Sequence, residues 1–168
     1  MMPMPILVEP AHVADVRGWL EDQKLVVRAL FDDCGAIACG AFILISVDPI
    51  THKELAVPKT KVCLLSDYDG SRAEFEAALR HWIDASQAIA CVVFMEGVHQ
   101  TVRAGLPGAR DPVVCLLFQH RGRRPKALTA RIVEDPTKTP SRSLAGDFAE
   151  LTYDLSRGLM SNLFPQAN

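Results

Sequence analysis

The 168-residue sequence predicts an α+β domain, a mostly antiparallel sheet of about five strands with helices packed on one side. Three observations predict it. Two segments carry apolar residues at helical spacing, from Glu9 to about Phe31 and from Ser71 to Ile83. Two others, 88–95 and 112–118, are apolar on both alternating faces, as inner strands are. Between them lie turn clusters such as Asp48-Pro49 and Asp67-Tyr68-Asp69-Gly70. The expected order is α-β-β-α-β-β-β-α.

In the first helix Val13, Val16, Leu20, Val27 and Leu30 recur at helical spacing. Pro10 suits an early position, and the helix should stop near Asp33–Gly35. GAFILISV, residues 40–47, is a strand that ends at Asp48-Pro49. LAVPKTKVCLLS, residues 55–66, is its return partner. Its regular part is expected from Thr60, because Pro58 cannot donate to a ladder; residues 48–59 are expected as an exposed loop.

Ser71-Arg72-Ala73-Glu74 has the form of a capping box, in which the hydroxyl and the carboxylate each satisfy the other residue's amide. The helix it opens places Phe75, Ala78, Leu79, Trp82 and Ile83 on one face. The buried strand AIACVVFM follows. Residues 97–112, with three glycines and two prolines, read as a loop before the second buried strand, PVVCLLF.

HRGRRPK, residues 120–126, is a basic turn, and Ala127–Val133 alternates as a half-exposed edge strand. This completes an expected domain over 1–134. Residues 135–142 read as a polar linker. Over 143–168 an amphipathic helix is expected, with Leu144, Phe148, Leu151, Leu155 and Leu159 inward, docked on the domain or on a partner.

Composition narrows the function classes. A net charge of −2 argues against a protein that coats nucleic acid or an anionic membrane over its whole surface. No apolar run reaches the ~20 residues of a membrane-spanning helix, so no membrane partner is expected. The five cysteines (Cys34, Cys39, Cys63, Cys91, Cys115) show no C-x-x-C spacing, and the N-terminus has no secretory pattern, so a reduced, cytoplasmic protein is expected.

Two constellations stand out as candidate sites. Glu96 and His99 follow the apolar run 88–95, and a carboxylate with an imidazole can do acid–base chemistry if the chain turns at Gly97. Asp111 or His120 could join them. A strand has a period of two, so an i, i+3 pair on an unbroken strand faces opposite ways. Arg121, Arg123, Arg124 and Lys126 make a positive fingertip that suits a phosphate backbone or an acidic protein surface. The bland alternative is a solvated hairpin tip kept charged against aggregation.

No phosphate loop, calcium loop or zinc spacing is present, and neither a cofactor nor a metal is expected. No catalytic set closes. The expected function is that of a non-catalytic binding or assembly protein with a protein partner or a second copy. Nucleic-acid contact through residues 120–126 is the alternative, and a hydrolase using Glu96 and His99 the third.

The succession EFEAALRHWIDASQA, IACVVFMEGV and VVCLLFQHRGRRPKALTARIV resembles small bacterial and phage-associated α+β proteins, in which a helix precedes a VV-x-x-E strand and a hairpin. The resemblance spans about residues 40–133 and implies the fold class alone. This sequence lacks the tryptophan those proteins often carry soon after the glutamate.

Overall fold

The fold is that of a computed structural model, which describes residues 7–8, 15–151 and 163–164. Helix α1 spans Val16–Cys34 and helix α2 Arg72–Ala85. The strands are β1 (Leu7–Val8), β2 (Gly40–Val47), β3 (Glu54–Leu64), β4 (Ala90–Arg103), β5 (Leu106–His120), β6 (Lys126–Glu134) and β7 (Arg142–Leu151). All pair antiparallel in one sheet ordered β1-β3-β2-β4-β5-β6-β7. The α+β class and the mostly antiparallel sheet agree with the sequence reading. The sheet has more than five strands because β7 and the short β1 extend its two margins.

The helices take opposite sides of the sheet rather than sharing one. Trp19, Leu20, Val27 and Phe31 of α1 pack with Phe42, Leu44, Val92, Phe94, Val114 and Leu116. Phe75, Leu79 and Ile83 of α2 pack with Ala41, Ile43, Ile45, Cys91 and Val93, the residues of opposite parity. Successive strand side chains point to opposite faces, so each helix covers a different face. This is why 41–45 and 90–94 are apolar without alternation. Leu30, expected in the stripe of the first helix, is exposed, and Phe31 is buried beside it.

The helix ends follow from local chemistry. Gly35 takes the left-handed conformation (φ 69°), and its amide donates to the Phe31 carbonyl. A Cβ there would also stand 2.9 Å from Pro140 Cβ, so glycine is required twice over. At α2 the Ser71 hydroxyl accepts from the Glu74 amide at 3.3 Å, one half of the capping box. The Ser71 amide donates instead to the Tyr68 carbonyl.

Several segments differ from expectation. Residues 97–112 are not a loop: β4 and β5 continue as a two-stranded ribbon to a two-residue turn at Ala104 and Gly105. Both turn residues have positive φ (52° and 76°), the twist that matches a tight hairpin. Prolines are tolerated in this part of β5 for two reasons. Strand β6 pairs with it only from Val113 onward, and its ladder with β4 is irregular between Gln100 and Val102. Strand β3 starts at Glu54, which shortens the expected loop; its ladder with β2 is regular from Lys59.

Residues 142–151, expected mostly as helix, form β7, whose Leu144 and Phe148 belong to the α1 core. Strand β6 is therefore not an edge, because β7 pairs along its outer side. The turn between Asp135 and Ser141 joins the two within one sheet, with the Asp135 carboxylate accepting from Thr137. The expected helical positions Leu155 and Leu159, like Pro10 and Val13, lie outside the described residues.

Candidate functional site: a basic-rimmed groove beside the first helix

Glu96 and His99 lie on an unbroken stretch of β4, so their side chains point to opposite faces of the sheet. The structure does not bring them together. Glu96 is engaged in a clasp: Oε1 pairs with Arg142 at 2.6 Å, and Oε2 accepts the Ile37 amide at 3.1 Å. Arg142 also donates to the Gly35 carbonyl at 2.9 Å and lies over the Phe31 ring. The clasp ties the C-terminal end of α1 to β4 and β7. His99 sits opposite Asp111 in the β4–β5 ladder, and Asp111 is 3.8 Å from Arg131.

The basic turn divides in two. Arg121 serves the fold: its Nε donates to the Ala88 carbonyl at 2.6 Å, a second nitrogen reaches the Ile83 carbonyl at 3.5 Å, and the guanidinium lies over the Phe164 ring. It thereby satisfies the Ala88 carbonyl just beyond α2 and adds a second donor at the Ile83 carbonyl, which already accepts the Ala88 amide. Arg123, Arg124 and Lys126 instead line a groove of about 510 Å³ between α1 and the β5–β6 turn. Among the described residues none of the three meets a carboxylate within ion-pair distance.

Val16, Leu20, Phe118 and Leu128 give the groove an apolar lining. Arg17 and Lys24 of α1 and His120 of β5 add to its basic side, and Asp15, Glu21 and Glu150 also line it. Glu21 is paired with Lys24 at 2.7 Å. Burial, aided by the Arg123 charge, holds the His120 pKa below the ordinary imidazole value, so the neutral ring predominates at pH 7. Sequence reasoning missed Arg17 and Lys24. With Glu21 they form an i, i+4, i+7 stripe, which one chain alone does not distinguish from a solvated helix face.

The thiols offer no ready nucleophile beside this groove. Burial pushes Cys63 and Cys115 up to about 11 each and raises Cys91 and Cys39 as well. Cys34, at the end of α1, is exposed and free. Lys61 is almost fully buried, with Nζ 3.2 Å from the Trp82 ring centroid, and burial lowers its pKa.

Among the described residues no three His, Cys, Asp or Glu side chains converge as metal ligands, and no helix is long and apolar enough to cross a membrane. Comparison of the chain with protein families, curated proteins and solved structures returned no match.

Proposed function

We propose that the protein is a non-catalytic binding protein whose groove takes an acidic, leucine-bearing segment of a partner protein. One observation carries this reading: Arg123, Arg124 and Lys126 line a groove with apolar walls while making no ion pair among the described residues. Such cations accept carboxylates from outside, and the apolar walls receive aliphatic side chains. Arg121 belongs to the architecture and drops out of the binding set.

Nucleic-acid contact is the second reading, favoured by the same three cations. One feature counts against it: Phe118 is the one benzenoid ring among the described lining residues, whereas single-strand binding calls for successive stacking platforms. The hydrolase reading has no support in a Glu96 and His99 that face apart.

Fluorescence anisotropy with three labelled probes separates the readings: a 12-residue peptide of Asp, Glu and Leu, a 20-nucleotide oligo-uridine, and a DNA duplex. The peptide should bind, and the Arg123→Ala/Arg124→Ala/Lys126→Ala variant should bind it at least about ten-fold more weakly. Tighter binding of either nucleic acid, lost in the same variant, would move the assignment to the second reading. No binding of any probe at low salt would end both.

A further inference from the structure

The outer surface of α1 carries a feature that the groove does not use. Leu25 is 65% exposed, Leu30 45% and Val26 42%. With the exposed Ala29 they occupy i, i+1, i+4 and i+5, a continuous strip on the helix. The same helix buries Trp19, Leu20, Val27 and Phe31 toward the sheet; Val26 and Leu30 follow Trp19 by close to whole turns and border that buried face, and Leu25 and Ala29 carry the strip outward from it. Contiguous exposed apolar strips of this kind mark interaction surfaces.

The charges around the strip select its occupant. Asp22 lies at its N-terminal end and Asp33 at its C-terminal end, and neither carboxylate has an ion-pair partner among the described residues. The nearby Arg28 is taken up by the Leu144 and Gly146 carbonyls of β7, and Lys24 by Glu21. A second copy of the chain fits poorly. An antiparallel α1–α1 pair that sets Leu25 against Leu30 and Val26 against Ala29 also sets Asp22 against Asp33, twice by symmetry. Like charges so placed oppose the pairing.

We infer that the outer face of α1 docks an amphipathic helix of a different protein, one whose apolar stripe is flanked by lysine or arginine. The leucines and Val26 bury against that stripe, and Asp22 and Asp33 pair with its basic flanks. This surface is separate from the groove and opposite to it in charge.

Two labelled 18-residue amphipathic peptides test the idea, both with a leucine–alanine face, one with lysine and the other with glutamate on its flanks. The lysine peptide should bind at least about ten-fold more tightly than the glutamate peptide. Leu25→Ser/Leu30→Ser should weaken it by a similar factor at an unchanged circular dichroism spectrum, and Leu25→Ser alone should do so in part. Asp22→Asn/Asp33→Asn should remove the preference between the peptides. The Arg123→Ala/Arg124→Ala/Lys126→Ala variant should bind the lysine peptide normally, which keeps this result separate from the fate of the groove. Equal binding of the two peptides, or binding that survives the double serine variant, would overturn the proposal. So would a wild-type dimer in light scattering that the double serine variant dissolves, since the occupant would then be a second copy.

Discussion

The two ends of α1 use cations in opposite ways. At its C-terminal end Arg142 is held by Glu96, the Gly35 carbonyl and the Phe31 ring, so its charge is consumed inside the fold. Beside its N-terminal half Arg123, Arg124 and Lys126 line a groove and meet no carboxylate among the described residues. Arg121, two residues before Arg123, belongs with Arg142 and not with its neighbours. The difference teaches that a run of basic residues is not one functional unit. What each guanidinium touches decides whether it is architecture or available for binding.

Substitutions can break or sharpen this contrast. The largest effect is expected from Arg121→Ala, which leaves the Ala88 carbonyl short of a donor while the Ile83 carbonyl keeps the Ala88 amide; it should lower unfolding free energy by about 2 kcal/mol. Arg142→Ala should cost about 1–2 kcal/mol, reduced by the partial exposure of the pair, and Glu96→Gln less, because the amide oxygen can still accept from Ile37. Urea denaturation measures both. The groove variant Arg123→Ala/Arg124→Ala/Lys126→Ala should stay within about 0.5 kcal/mol of wild type while losing ligand. A large loss of stability there would erase the distinction.

Lys61 offers a contrast of a third kind, a cation buried without a carboxylate partner among the described residues. Its folded pKa is lowered, so the unfolded chain binds the proton more tightly. The resulting penalty is present at neutral pH and fades as pH rises toward the unfolded value near 10.5. Lys61→Met should therefore unfold at higher urea than wild type at pH 7, with the gap narrowing by pH 10. A gap that widens with pH would show that the Trp82 contact outweighs burial. The smallest effect belongs to His120. Its lowered pKa means that protonation below pH 6.5 slightly destabilises the fold while adding positive charge to the groove. Peptide affinity should rise modestly from pH 7 to pH 5.5, and His120→Gln should flatten that trend.

Much of the frame is legible in the sequence. The runs 88–95 and 112–118 are rich in apolar residues on both faces, and both belong to inner strands. The sidedness of the helices is not legible, since burial of both faces says that each is covered without saying by which element. The segment after Ser143 misleads for a physical reason. Leu144 and Phe148 are four residues apart, a spacing compatible with a helical period near 3.6 and with a strand period of 2. Gly146, at φ 68° beside the irregular β6–β7 pairing, is the signal against a helix. In 97–112 the prolines suggest a loop, but a ribbon with a free edge tolerates them. The basic turn is visible as charge; which of its members is drawn into the fold depends on α2, far away in sequence.

The ribbon has a mechanical consequence. Strand β4 runs from Ala90, between β2 and β5 in the middle of the sheet, to the tip beside Ala104. Whatever pulls on that tip loads two inner strands directly along their length, with no loop in between to absorb the force. The hairpin is therefore a lever whose fulcrum is the core itself.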